Sequence, residues 1–93
     1  MSARLSGLTI GALTLTPSFD PDTYEYQVTT SAATNKITAT PEDENATVAI
    51  AVNSYEIENG SSATWDGAEN TVEIFVTNGD EELQYTVYVL KTT

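Results

Sequence analysis

Neither histidine nor cysteine occurs among the 93 residues, and basic residues number only three. Each shortage excludes something. Without cysteine there is no disulfide, no thiol nucleophile and no thiolate metal site. That absence does not separate a cytoplasm from a bacterial exterior, where disulfide-free surface proteins are common. Without histidine the chain lacks the commonest general base, the commonest neutral metal ligand and the side chain that switches charge near neutral pH. Arg4, Lys36 and Lys91 face fourteen acids, for a net charge of −11. Such a field repels phosphate backbones and anionic lipid surfaces, so neither nucleic-acid binding nor membrane insertion is expected. Long apolar runs are missing as well: no stretch approaches the roughly 20 residues of a membrane helix. The opening "MSARLSGLTIG" has no apolar run of signal-peptide length, so no signal peptide is expected. The chain then reads as a domain of a larger exported protein, or as part of something that reaches its place of work without secretion, such as a virus particle.

What is present is enough for a core. Apolar residues make up 40% and charged residues 18%, which argues against disorder and for one domain over residues 1–93. The acids are unevenly spread. Residues 1–41 carry Asp20, Asp22 and Glu25 against Arg4 and Lys36, whereas residues 42–93 carry the other eleven acids against Lys91 alone. Solubility is the plain consequence.

The dominant period is two. "TVEIFVT" sets Val72, Ile74 and Val76 on one face, and "QYTVYVLK" does the same with Tyr85, Val87 and Val89. Val48, Ile50 and Val52 alternate with alanines, and Tyr24, Tyr26 and Val28 alternate with Glu25 and Gln27. Apolar residues nowhere recur at helical spacing over three turns. Turn chemistry interrupts these runs every eight to twelve residues or so, as in an antiparallel sandwich. About seven strands result: 4–10 with 13–16, 24–29, 36–40, 47–52, one or two short pieces within 55–65, 70–77 and 83–91. "NG" at 78–79 marks a hairpin, with "NGDEE" reading as longer than a two-residue turn.

"TPSFDPDTYEYQV", residues 16–28, places Phe19 between Pro17 and Pro21 and follows it with Tyr24 and Tyr26. The prolines lack the N–H a ladder needs, so they end one strand and stiffen the crossing to the next. Phe19 then turns inward as a corner anchor, and Tyr26 and Val28 continue the core. Trp65, the single tryptophan, reads as a plug whose indole N–H needs a partner.

These residues also carry a family pattern. "LSGLTIGALTLTPSFDPDTYEYQV", with Leu5, Leu8, Ile10, Leu15, Pro17, Phe19, Pro21, Tyr26 and Val28 at its key positions, resembles the opening of bacterial cadherin-like β-sandwich domains. "DENATVAIAV" and "WDGAENTVEIFVTNGDEELQYTVYVLK" resemble that family's later strand and closing hairpin. The resemblance spans residues 5–91. It implies an all-β, immunoglobulin-like antiparallel sandwich and a non-catalytic spacer or weak-adhesion module of bacterial surface or phage structural proteins. Its setting would be extracellular, on the cell surface or in a virion. The acidic calcium-ligand motifs of animal cadherins are missing, so calcium binding does not come with the resemblance.

Three sets of residues are candidates for function. Catalysis would need paired carboxylates held in a cleft, and the acidic runs 42–44 and 80–82 lie in loop-like sequence, so an enzyme is not expected. Calcium takes six to eight oxygen ligands. With 55–65 counted as one strand, Asp20, Asp22, Glu42, Asp43, Glu44, Asp66 and Glu69 would share one end of the sandwich; a second strand there would scatter them. Phe75, Tyr88 and Leu90 fall on the outward parity of one hairpin. They are expected to lie together, either as cross-strand pairs or as a patch for a neighbouring domain, a subunit or a surface glycan. A carbohydrate-binding module and a calcium-dependent interdomain module are therefore the two rivals to a spacer that uses no cofactor.

Overall fold

The computed structural model describes residues 3–11, 13, 15, 16, 19, 20 and 23–92. Among these residues eight strands form two packed sheets. β1 (Leu5–Ile10), β3 (Thr34–Pro41) and β6 (Ser62–Thr64) make a three-stranded sheet in the order β1-β3-β6. β2 (Glu25–Thr30), β8 (Glu81–Lys91), β7 (Glu69–Asn78), β4 (Thr47–Val52) and β5 (Tyr55–Ile57) make the other, in that spatial order. The all-β sandwich expected from period-two alternation is present, with one pairing that differs. β2 runs parallel to β8, Glu25 opposite Thr86 through Thr30 opposite Lys91. The remaining pairs are antiparallel.

Alternation decides which side chains meet between the sheets. Val72, Ile74, Val76, Tyr85, Val87 and Val89 are fully buried, and Leu5, Ile10 and Ile37 close over them from the other sheet. Each such side chain contributes about 1.5–3 kcal/mol of burial. Phe19 and Val48 are partly buried against this core rather than inside it. Three alanines that a hydrophobicity pattern passes over, Ala3, Ala39 and Ala63, are buried as well. The 13–16 segment contributes one isolated antiparallel bridge, Thr16 with Gln27, along the free side of β2.

Two hairpins differ in their turn chemistry. Asn78 pairs with Glu81, so only Gly79 and Asp80 form the β7–β8 turn, shorter than "NGDEE" suggests. Gly79 supplies the positive φ of 63° that a type II′ hairpin requires at its first central position. The β4–β5 turn instead has Asn53 at φ 50° and Ser54 at φ 75°. Both central residues are left-handed, as in type I′, and Ser54 holds that conformation without glycine's freedom.

Candidate interaction surfaces

The corner that opened with Phe19 is held by one phenol. The Tyr26 hydroxyl donates to the Asp20 carbonyl at 2.6 Å and accepts from the Asp20 N–H at 2.9 Å. Phe19 stacks on the Tyr26 ring at 6.0 Å between centroids and 19° between planes. Burial pushes the Tyr26 phenol above its ordinary pKa, opposed by its bond to the Asp20 backbone. Pro17 and Pro21 lie outside the described residues. A second phenol ties the sheets together: the Tyr85 hydroxyl, on β8, accepts the Leu5 N–H of β1 at 3.1 Å. Burial raises the Tyr85 phenol too. Trp65 is buried, and its indole N–H donates to Asn35 Oδ1 at 2.9 Å, an oxygen that also accepts the Thr30 hydroxyl. The plug has found a side-chain amide as its partner.

The acidic residues do not gather at one end. Residues 55–65 contain two strands, β5 in the five-stranded sheet and β6 in the other. The extra crossing sends the 66–69 segment to the opposite pole from residues 42–44. β7 connects the two places: Glu69 begins it, and Asn78 at its far end donates from Nδ2 to Asp43 Oδ2 at 3.0 Å. Nine steps of strand put them about 30 Å apart. Asp66 and Glu69 are thereby separated from Glu42, Asp43 and Glu44, and Asp22 lies outside the described residues.

Asp43 has a local structural role. Its Oδ1 accepts the Asn45 N–H at 2.9 Å, and its carbonyl accepts the Ala46 N–H at 3.0 Å. These contacts, the Asn45 amide first and the Asn78 side chain second, hold its carboxyl below the usual range. Glu42 sits 3.7 Å from Arg4 at the surface, and Asp20 lies at the Tyr26 corner. Among the described residues no group of three or more carboxylates is arranged to hold a metal ion. What the fold does assemble beside Glu42 is the β7–β8 turn. Arg4, Tyr24, Glu42 and residues 80–83 line an open cleft of about 650 Å³, a grouping that follows from hairpin register and not from sequence proximity.

The outward aromatics also separate. Phe75 stands opposite Ala49 on β4 and Gln84 on β8, while Tyr88 stands opposite Thr71 on β7 and Gln27 on β2. Phe75 is four positions from Thr71, about 13 Å along the strand. Between them Gln84 Nε2 donates to Glu73 Oε2 at 3.1 Å and to Thr86 Oγ1 at 3.3 Å, a polar bar across the face. Leu90, opposite Glu69 and Thr29, stays beside Tyr88. The expected three-residue patch is therefore a Tyr88–Leu90 pair, with Tyr88 45% exposed, and a separate half-buried Phe75.

A more exposed aromatic escaped the sequence reading. Tyr55 is 76% exposed, although its partner Val52 is in the core. The five-stranded sheet is wider than the sheet that covers it, so the inner face of β5 overhangs. Tyr55 and Ile57 there line a groove of about 220 Å³ with residues 62–64 of β6. Tyr55 and Ile57 do alternate, but three residues are too few for a periodicity to register.

The strand directions place the chain's two exits far apart. The Ala3 N–H donates to Glu81 Oε2 at 3.1 Å, and Glu42 N–H donates to the Arg4 carbonyl at 2.8 Å, so β1 starts at the β7–β8 turn. Lys91 N–H donates to the Ala68 carbonyl at 2.8 Å and Thr92 N–H to the Thr30 carbonyl at 2.7 Å, so β8 ends at the other pole. The molecule measures 42 × 24 × 17 Å.

A family model described as a cadherin-like beta sandwich domain matches residues 9–92. No curated protein matches the chain. Among the described residues no helix is long and apolar enough to cross a membrane.

Proposed function

The chain belongs to the cadherin-like β-sandwich family, and we propose that within it this domain is a spacer, threaded end to end between neighbouring domains of a bacterial surface protein or a phage structural protein. Domains of this family are generally non-catalytic, typically extracellular or surface-exposed, and suggest adhesion or spacing. The observation that carries the spacer reading is the exit geometry. With β1 starting at one pole and β8 ending at the other, covalent neighbours attached through those strands fall at opposite ends of a 42 Å axis. The net charge of −11 supports it further, since successive copies repel and stay extended.

Weak adhesion is the second reading, and the Tyr88–Leu90 pair is the place it would act. Thermal melting with and without millimolar calcium, together with a glycan array, tests the spacer against its rivals. The spacer predicts an unchanged melting point and no glycan signal. A calcium-dependent rise in melting temperature, or glycan binding lost on Tyr88→Thr, would overturn it.

A further inference from the structure

We infer that the parallel β2–β8 ladder is a mechanical clamp, the element that resists when the domain is pulled through its two exits. The inference rests on the spacer reading and adds what a spacer must withstand. Tension enters at the β1 start and leaves at the β8 end, at opposite poles. β1 lies in the three-stranded sheet, paired only with β3, and its register is broken between Leu5 and Gly7. Once β1 slips, the load passes along the chain to the next strand, β2, at its Glu25 end. β2 is hydrogen-bonded directly to β8, which is being drawn the other way from its Lys91 end.

Because the two strands are parallel and in register over six residue pairs, opposite forces at opposite ends slide one strand along the other. The inter-strand bonds bridge the strands sideways, so this load shears them together instead of opening them in turn. The ladder is closed at both ends, by Thr86 N–H to the Tyr24 carbonyl at 2.8 Å and Thr92 N–H to the Thr30 carbonyl at 2.7 Å. Tyr26, Val28 and Thr30 on β2 and Val87 and Val89 on β8 are buried, so sliding also drags packed side chains through a dense core. An antiparallel neighbour in the same place would be loaded from the same pole as β8 and would peel. Forced unfolding reports the barrier to leaving the native state and not its equilibrium stability, so the clamp is read by force and not by melting.

The test is single-molecule pulling of the intact chain in two geometries. In the first, handles join the two termini. In the second, one handle is moved to Ser54→Cys, a unique thiol in a cysteine-free chain; that turn shares its pole with the β8 end. The expected result is a several-fold higher unfolding force end to end than in the second geometry, which peels β8 and β7 from β4. Equal forces overturn the clamp. A Gln27→Cys, Tyr88→Cys pair joins facing exposed positions of the two strands. Oxidised, it should abolish the high-force event, and reduction should restore it. Persistence of that event in the oxidised form places the resistance outside β2–β8 and also overturns the inference. A low force in a chain that binds neither calcium nor glycan removes the clamp and leaves the spacer reading standing. Glycan or calcium binding removes the spacer reading whatever the force.

Discussion

In the five-stranded sheet β7 and β8 run for ten and eleven residues and keep six aliphatic and aromatic side chains out of water entirely. The three-stranded sheet has one six-residue edge with an irregular register and one three-residue edge, and two of its buried residues are alanines. The first sheet is therefore a continuous beam and the second a cover fixed at points. Those points are identifiable: the Tyr85 hydroxyl of β8 accepts the Leu5 N–H of β1, the Thr30 hydroxyl of β2 donates to Asn35 Oδ1 of β3, and the Ala3 N–H just before β1 donates to Glu81 Oε2 of β8. Their outer faces differ as well. Ser6, Thr9, Thr34, Thr40, Ser62 and Thr64 are exposed on the cover, whereas the beam presents Glu25, Glu69, Glu73 and Glu82 on its outer face or at its ends. Hydrophobic stability and charge are concentrated in the beam, and the cover contributes closure.

The largest effect expected from this division is in the beam. Ile74→Ala, at a fully buried position in the middle of β7, should cost about 2–5 kcal/mol in urea unfolding. A loss below about 1 kcal/mol would mean that β7 is not the centre of the core. Next comes the tie between the sheets. Tyr85→Phe strips the acceptor from the buried Leu5 N–H and should cost about 1–3 kcal/mol. Faster hydrogen exchange should then appear in β1 but not in β7, and uniform loss of protection across both sheets would blur the distinction.

Smaller and opposite in sign is Ser54→Gly. Relieving a left-handed serine at φ 75° should stabilise by about 0.5–1 kcal/mol, with no change in the slope of the denaturant transition. The smallest effect belongs to the half-buried Asp43. Its folded-state pKa lies below 3.8, so the stability it confers is fully present above that value and is lost as pH falls through the lowered pKa. The stability gap between the native chain and Asp43→Asn should accordingly be constant near neutral pH and shrink below pH 3.8. A gap that grows on acidification would reverse the assignment.

How much of this was legible from sequence follows the same division. In β7 and β8 the alternation is long enough that face and burial could be read residue by residue, and Trp65 was placed correctly as a plug. Around β5 and β6 each strand is three residues, too short to show a period. One hidden sheet crossing there reversed the poles assigned to Asp66 and Glu69. Register was the other casualty. Outward parity put Phe75, Tyr88 and Leu90 on one face. Their separation comes from the hairpin register, which aligns Phe75 with Gln84 and Tyr88 with Thr71, and a turn anywhere within 78–82 keeps them several positions apart. Parity is a property of one strand, but register and strand direction belong to pairs. The parallel β2–β8 pairing, likewise, leaves no mark in either strand's composition.

The claim that the domain passes the chain from pole to pole is tested most directly by small-angle scattering from one, two and three copies joined in tandem. The account predicts that the longest dimension grows with each copy by close to the 42 Å long axis. Growth no larger than the 24 Å width, as from copies folded side by side, would contradict it.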